Sequence, residues 1–322
     1  MATEAEASPF PHHQGMNEPI NLDVDQTGQD HPGSDPGATN LRLTTRRLGT
    51  TNLQVSPLGL AALSVRAHGP SGPRLLADDA EAAFYEHGIN TFLVHPWLPA
   101  LNEGVRRLVR AGHRDRLTLI TEVSVSLGPW VRGYWSRLAR LLGVDVIDVF
   151  LFGWLRARWQ LGLGTWAAME SLRSAGKVRA IGYSSHDRRL AVAVARERAP
   201  DVLMVRYNAA HRGAEGDVFA AFDTNRPAII AYTATRWGLL LRPLPSRGFP
   251  QAMTAGECYR FALTQPAVDV VLCAARGRAE LREDVAAVLQ GPLGPDRLET
   301  CRRFGDAVHA AARGGHRWMF HE

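Results

Sequence analysis

Short apolar runs alternate with helix-like stretches along most of this chain, and this rhythm limits its fold more than any other feature. The apolar runs cover residues 55–63, 90–95, 117–123, 146–154, 180–184, 202–208, 228–234 and 268–274. Near-continuous hydrophobic runs that alternate with helices are typical of a parallel sheet covered on both faces. Eight such units in one chain favour a closed (β/α)8 TIM barrel, an α/β fold, over an open sheet.

The stretches between these runs have the composition and spacing of helices. They lie at 78–87, 134–142, 165–175 and 188–198, and a further helical region at 295–313 is expected to pack outside the barrel. The N-terminal 42 residues are rich in Pro, Gly, Asp, Gln and His, and they cannot bury enough apolar surface to offset the entropy of ordering. We therefore expect a disordered tail at 1–42 and a single barrel domain at 43–322.

Charge and cysteine content exclude several classes of protein. The formal net charge is +5, but no run of Lys and Arg is interleaved with aromatic residues, which argues against nucleic acid as a partner. No stretch reaches the roughly 18 apolar residues of a membrane helix. Cys258, Cys273 and Cys301 have no metal-ligand spacing, so we expect no metal site, no disulfide framework and a cytoplasmic location. The oligomeric state is left open.

Several segments resemble one known family in the order in which that family carries them. Arg47-Leu48-Gly49 with 55–60 resembles the opening of aldo/keto reductases, and 88–92 resembles their second strand. Residues 172–182, with the sequence LRSAGKVRAIG, are close to the most recognisable internal signature of the family. Tyr207-Asn208, Ala231-Tyr232 and 260–263 follow in the expected order. The resemblance covers about 43–291 and implies a barrel that binds NADP(H) across the carboxyl ends of its strands.

The catalytic residues of that family are absent at the matching positions. Aldo/keto reductases use Asp, Tyr, Lys and His, because the tyrosine protonates the carbonyl oxygen and the lysine lowers the pKa of the tyrosine. Aligned by the flanking strands, these positions hold Leu93, Leu98, Glu122 and Gly153, and an offset of one residue would bring Trp97 to the tyrosine position. The resemblance therefore implies the fold of the family with a replaced active site.

The cofactor positions implied by the resemblance are altered less completely. Ser184 lies where a serine binds the nicotinamide carboxamide, and Tyr232 lies where the ring stacks, but Ser185 and Met204 replace an asparagine and a glutamine. Candidate phosphate and adenine contacts are Arg276, Arg278, Glu283 and Asp284, of which the last two resemble a Glu-Asn pair. Arginines suit phosphate because their bonds to it are charge-assisted. We leave NADP(H) binding open.

Titratable residues follow several predicted strands, where barrel enzymes keep their active sites. Glu122 lies at the lysine position among apolar residues, so it is either an acid/base with a raised pKa or the partner of Arg206 or another arginine. His95 lies two residues after Leu93 and should point inward; it is either a proton shuttle or a hydrogen-bonded structural histidine. His186 is a third candidate for catalysis, with helix capping beside Asp187 as the alternative.

The last strands are followed by residues suited to binding an anionic substrate. The candidates are Arg206, Asn208, His211, Arg236 and Trp237. A planar guanidinium group matches carboxylate or phosphate, although surface solvation is the alternative for both arginines. The polar stretch 207–215 is interpreted as an active-site loop.

Three functions remain open from the sequence. The first is a small-molecule enzyme with non-standard acid/base chemistry, such as dehydration, isomerisation or cyclisation of a carbonyl-type or anionic substrate. The second is an NADP(H)-dependent oxidoreductase in which Glu122, His95 or His186 replaces the tyrosine as proton donor. The third is an inactive pseudoenzyme that binds a nucleotide or a protein partner. Convergent charged groups favour the first two, because an inert site has no physical need for them.

Overall fold

The structure is a computed structural model that describes residues 41–61, 77–222 and 226–313. Its strands are β1 (Arg46–Arg47), β2 (Gln54–Val55), β3 (Leu58–Leu60), β4 (Thr91–Leu93), β5 (Thr118–Val123), β6 (Ile147–Phe152), β7 (Val178–Ser185), β8 (Val202–Arg206), β9 (Ala228–Tyr232) and β10 (Val270–Cys273). Its helices are α1 (Ala77–Tyr85), α2 (Pro99–Arg110), α3 (Gly128–Leu142), α4 (Thr165–Ser174), α5 (Arg188–Arg198), α6 (Ala214–Asp217), α7 (Ala255–Thr264), α8 (Arg278–Val288) and α9 (Pro295–Arg313).

Strands β3 to β10 form a closed parallel barrel, and helices alternate with most of them. The order around the barrel is β10-β3-β4-β5-β6-β7-β8-β9, with parallel pairing at each step. The predicted (β/α)8 barrel is therefore confirmed. The tail prediction for residues 1–40 lies outside the described residues.

The barrel interior is a separate apolar cluster that is closed at one end by a hairpin. It contains one or two side chains from most strands, among them Ile120, Leu151, Met204, Ile230 and Leu272. Strands β1 and β2 pair antiparallel, and their Leu48 and Val55 belong to the same cluster. Gly49 permits this close approach, since a Cβ added there would lie 2.7 Å from the Cβ of Ala228. The hairpin closes the amino-terminal end of the barrel, so only the carboxyl ends of the strands are left for a site.

Two predicted elements differ from the structure by three or more residues at their starts. Helix α3 begins at Gly128, six residues before the predicted 134, because Pro129 fits the first turn of a helix, where its missing N–H costs nothing. The first predicted strand, 55–63, is divided: Val55 belongs to the hairpin, β3 covers Leu58–Leu60, and 62–63 lie outside the described residues.

Helix α9 packs outside the barrel, as predicted, and holds the segment after β8. Arg212 forms a salt bridge with Asp306 at 2.8 Å, and Arg302 forms one with Glu215 at 3.2 Å. Gly305 allows the contact, because a Cβ there would lie 2.1 Å from the carbonyl oxygen of Ala209. Among the described helices, none is both long and apolar enough to cross a membrane.

Candidate active site

Four strands present polar side chains to the barrel interior at their carboxyl ends. Successive side chains of a strand point to opposite sides, so residues separated by an even number of positions share a side. On this basis four polar residues share a side with an apolar residue of the same strand: Glu122 with Ile120, Ser184 with Ala180, Arg206 with Met204, and Tyr232 with Ile230. The partners Ile120, Ala180, Met204 and Ile230 belong to the interior cluster, and Tyr232 packs against it. Glu122, Ser184, Arg206 and Tyr232 therefore form the uppermost interior layer, which we call the acid layer.

Glu122 is the buried acid of this layer. Its residue is only 8% exposed, and its Oε1 atom has no hydrogen-bond partner within the described part of the chain. Burial raises the pKa of Glu122 from an ordinary 4.5 to about 7, and a hydrogen bond from Ser184 partly opposes that rise. Among the described residues Glu122 takes part in no salt bridge, including with Arg206, so the acid/base interpretation is the one that the geometry favours.

Gly153 leaves room for this carboxylate. A Cβ added at Gly153 would lie 2.8 Å from Ser124 Oγ, 3.3 Å from Glu122 Cβ and 3.7 Å from Glu122 Oε1. A larger side chain at this position would require Ser124 and Glu122 to shift. The absence of a side chain at Gly153 therefore suits the position that the Glu122 carboxylate adopts.

Tyr232 and His186 form a second proton-carrying pair beside Arg206. Tyr232 Oη lies 3.1 Å from His186 Nδ1, and Arg206 pairs in register with Tyr232 on the neighbouring strand. Burial raises the pKa of Tyr232, and the charge of Glu122 raises it further. Burial lowers the pKa of His186, and the positive charges of Arg206 and Arg156 lower it further. Helix α5 is capped by Asp187, whose Oδ1 accepts from Leu190 N at 2.9 Å, so His186 is not the cap.

The inward orientation predicted for His95 is wrong. Its Nδ1 lies 2.9 Å from Tyr134 Oη, and that hydroxyl also lies 3.1 Å from Thr121 Oγ1. Thr121 alternates with Glu122 and so faces the helix layer. The alternation that placed His95 inside fails because β4 ends two residues earlier, at Leu93.

The hydrogen bonds fix the tautomer of His95. Thr121 Oγ1 donates to the Val94 carbonyl at 2.7 Å, so Tyr134 donates to Thr121 and accepts from His95 Nδ1–H. Burial lowers the pKa of His95 to about 4, which keeps the ring neutral with its lone pair on Nε2. Trp97 stacks on this ring at 4.2 Å. The structural interpretation of His95 is thus favoured over the proton shuttle.

The stretch 207–215 is less open than an active-site loop should be. Asn208 is wholly buried; its Nδ2 donates to Thr233 O at 2.9 Å and its Oδ1 accepts from Ala210 N at 3.0 Å. The prediction that Asn208 binds substrate is therefore wrong, since its amide stabilises the turn. Only His211 keeps a partly exposed ring suited to a ligand, and its centroid lies 5.3 Å from that of His309 on α9.

Arg236 and Trp237 lie in the long segment between β9 and α7. Both adopt left-handed backbone angles, with φ of 50° and 55°, which non-glycine residues seldom do. Arg236 Nη1 lies 3.5 Å from His309 Nδ1, and Trp237 is 52% exposed. Both residues are therefore at the carboxyl end of the barrel, where the sequence placed them.

Most of the residues predicted to bind NADP(H) are engaged elsewhere. Ser184 is fully buried and its Oγ accepts from Trp154 N at 2.9 Å. Arg276 Nε donates to Glu280 Oε1 at 2.7 Å. Arg278 begins α8 and its Nη1 lies 3.1 Å from Glu86 Oε1 on α1.

The Glu283-Asp284 pair is divided between solvent and core. Glu283 is exposed, whereas Asp284 is buried and burial raises its pKa to about 7. Tyr232 lies at the carboxyl end of β9. The predictions that Ser184, Tyr232, Arg276, Arg278, Glu283 and Asp284 contact NADP(H) stay predictions, with both arginines paired to acids at the protein surface. The described residues also hold no cluster of three His, Cys, Asp or Glu side chains suited to a metal ion.

Sequence reasoning missed two residues of the site. Tyr134 was placed at the start of a helix, but a start at Gly128 puts it on the buried side with Val131 and Leu138, a stripe with helical spacing that the sequence already contained. Trp154 directly follows Gly153 and is 51% exposed with φ of 59°. No sequence signal predicts this backbone angle.

Comparison with known proteins agrees with the architecture. Residues 106–244 match the model of the Aldo/keto reductase family. No curated protein matches the chain. The holo form of aldo-keto reductase AKR11C1 from Bacillus halodurans is 20% identical with a TM-score of 0.66, covering 82% of this chain and 96% of that one. Thermostable aldo-keto reductase Tm1743 in complex with the inhibitor epalrestat is 19% identical with a TM-score of 0.65, covering 81% of this chain and 100% of that one. At these identities the two structures support the fold alone.

Proposed function

We propose that this chain, whose residues 106–244 match the model of the Aldo/keto reductase family, is an enzyme that transfers a proton on a small carbonyl-type or anionic substrate, with Glu122 as acid and base. The observation that carries the proposal is the buried carboxyl group of Glu122, whose Oε1 atom is unpaired within the described residues. Buried polar atoms are nearly always hydrogen-bonded, so an unpaired one at the carboxyl end of a barrel suits a group that binds substrate.

The acid layer supplies the groups that enolisation requires. A carboxylate with a pKa near 7 is poised to take a proton from the carbon next to a carbonyl and to return it at a neighbouring atom. The raised pKa of Tyr232 keeps its hydroxyl protonated, so it can donate to the oxygen on which negative charge develops. Arg206 beside it would stabilise the same charge. Isomerisation and dehydration both proceed through such an enolate and need no net oxidation.

The test is proton exchange into a panel of carbonyl compounds that contains pyruvate, 2-oxobutyrate and dihydroxyacetone. The full chain in D₂O should remove the NMR signal of hydrogens next to the carbonyl, with a rate that rises with pH to a plateau above about 7. Glu122→Gln should abolish the exchange, whereas Glu299→Gln on the exposed side of α9 should leave it unchanged. Exchange that survives Glu122→Gln, or its absence with every compound, contradicts the proposal.

An NADP(H)-dependent oxidoreductase is the second candidate. Tyr232 favours it, because this residue ends β9 at the position where the nicotinamide ring would stack. Aldo/keto reductases generally bind this cofactor. Titration with NADPH, followed by fluorescence in the wild type and in Tyr232→Ala, decides between the two functions. We expect no saturable binding below millimolar NADPH, because the predicted phosphate contacts Arg276 and Arg278 are held in ion pairs. Tight binding that Tyr232→Ala removes would favour the oxidoreductase.

A pseudoenzyme is disfavoured by the same buried acid. Keeping an unpaired carboxyl group in a barrel interior costs stability, and an inert scaffold gains nothing from it. We also propose a cytoplasmic setting, supported by Cys258, Cys273 and Cys301, which are all buried free thiols.

A further inference from the structure

The loops at the carboxyl ends of the barrel strands are strongly biased toward positive charge. We call these segments the mouth loops; the described ones are 94–98, 124–127, 153–164, 186–187, 207–213, 233–254 and 274–277. They contain seven arginines and a single acidic residue, Asp187, whose carboxylate caps helix α5. Three of these arginines form salt bridges with acids of neighbouring helices: Arg158 with Glu197, Arg212 with Asp306 and Arg276 with Glu280. The loops themselves still carry a net positive charge, which favours an anion over a cation at the mouth.

The positive charge is concentrated around one histidine. Burial lowers the pKa of His211 to about 3, and the charges of Arg206 and Arg236 come next among the causes. The geometry agrees: Arg236 Nη1 lies 3.5 Å from His309 Nδ1, and the His309 ring lies 5.3 Å from that of His211. Arg206 pairs in register with Tyr232, which directly precedes the loop that contains Arg236. A pair of planar guanidinium groups is well suited to a carboxylate or phosphate.

Exposed indole rings surround the same opening. Trp97, Trp154 and Trp237 follow β4, β6 and β9, and they are 58%, 51% and 52% exposed. Trp97 is stacked on His95 with an interplanar angle of 13°, so His95 covers one face of the indole ring. More than half of the residue nevertheless remains exposed to solvent. The backbone N–H of Trp154 is held by Ser184 Oγ in the acid layer. The ring of Trp97 and the backbone at Trp154 are thus each held by a defined contact.

We infer that the mouth binds a planar aromatic substrate that carries a carboxylate or phosphate group. Its ring would stack on Trp97 or Trp154, and its anionic group would lie toward Arg206 and Arg236. This inference rests on the proposed function, since it names the substrate class of the same site. A second copy of the chain does not suit this surface, because two mouths facing each other would bring like charges together. A cationic ligand is excluded for the same reason.

Calorimetric titration of the full chain measures the ligand class directly. The probe is 2-naphthoate, with 2-naphthamide as the uncharged match and cyclohexanecarboxylate as the non-aromatic match. Naphthoate should bind at least about tenfold more tightly than either match, since a charge-assisted bond and a stacked ring are each worth about that factor. Equal affinity for naphthoate and naphthamide, or no binding of naphthoate, overturns the inference.

Variants locate the bound probe. Arg206→Gln and Trp97→Leu should each weaken naphthoate about tenfold. Arg132→Gln and Trp130→Leu are matched controls, because both residues are exposed on α3 outside the mouth loops and should leave the affinity unchanged. Weakening by the controls as strong as by the mouth variants contradicts the assignment. Circular dichroism of each variant verifies that it is folded.

The same titration in Glu122→Gln separates this inference from the proposed function. Naphthoate should bind the variant at least as tightly as the wild type, because the glutamine side chain of the variant carries no negative charge that could repel the carboxylate of the probe. If binding persists while proton exchange proves independent of Glu122, the substrate class stands and the proposed function fails. If exchange depends on Glu122 but naphthoate does not bind, the reverse holds.

Discussion

Glu122→Gln should remove a pH dependence of stability that the wild-type barrel carries between about pH 5 and pH 8. Burial raises the pKa of Glu122 from 4.5 to about 7 in the folded protein. Below the lower value the carboxyl group is protonated in both states and imposes no cost. As the pH rises between the two values, the unfolded chain releases the proton while the folded chain keeps it, so the free energy of unfolding falls.

The size of the effect follows from the pKa shift. At 1.36 kcal/mol per unit, the full cost of ionising Glu122 in the fold is about 3 kcal/mol above pH 8, and about 2 to 3 kcal/mol of it develops between pH 5 and pH 8. Gln has nearly the shape of Glu and carries no charge at any pH. The stability of Glu122→Gln relative to the wild type should therefore increase by about that amount across this range.

Urea unfolding at half-unit pH intervals, followed by circular dichroism, measures this difference. Other titrating groups are common to both proteins and cancel when the curves are subtracted. Glu299→Gln, the same chemical change at an exposed position, should give a curve parallel to the wild type. A flat difference for Glu122→Gln from pH 5 to pH 8 would refute the reasoning, because it would mean that the folded state does not retain the proton.

Three further predictions concern the frame around the site. Asp148→Asn should lower the free energy of unfolding by about 2 to 3 kcal/mol in denaturant titrations, because the wholly buried carboxylate pairs with Arg114 at 2.9 Å, while exposed Asp145→Asn should have little effect. Gly182→Ala should yield no soluble folded protein on expression, since its Cβ would lie 1.8 Å from a backbone carbonyl oxygen on β8; normal yield would contradict this. Tyr134→Phe should cost about 1 kcal/mol of stability and should change the ¹⁵N shifts of His95, which loses the acceptor that fixes its Nδ1–H tautomer; unchanged shifts would argue against the tautomer.

The barrel could be predicted because its strands carry their own signal. The runs at 117–123 and 228–234 are mostly apolar and lie within two residues of β5 and β9. The position of Glu122 was expected from its match to the lysine position of the resembled family, and alternation with Ile120 in β5 agrees with it. Predictions failed where regular alternation ends: His95 lies beyond the last residue of β4, and there the chain turns its ring toward α3.

The candidate site could be predicted only in part, because contacts between distant segments determine which of its residues are available to a ligand. The sequence placed Arg276 and Arg278 near a phosphate, but only the folded chain brings Glu86 to Arg278 and sets Glu280 against Arg276. Asn208 was predicted to bind substrate from its polar side chain, but in the structure its amide donates to the carbonyl oxygen of Thr233, 25 residues further along the chain. Whether a polar side chain is available to a ligand depends on which residues the fold brings next to it, and the sequence pattern does not contain that information.

By itself the sequence determined the barrel, since near-continuous apolar runs that alternate with helical stretches are a property of local periodicity and residue type. The tertiary structure decided the surroundings of the candidate site. It removes water from Glu122 and so raises its pKa, and it fills the space beside Gly153 with that carboxylate. It also gathers Arg206 and Arg236 around His211. Burial and electrostatic potential are sums over neighbours from many strands, and only the closed barrel specifies those neighbours.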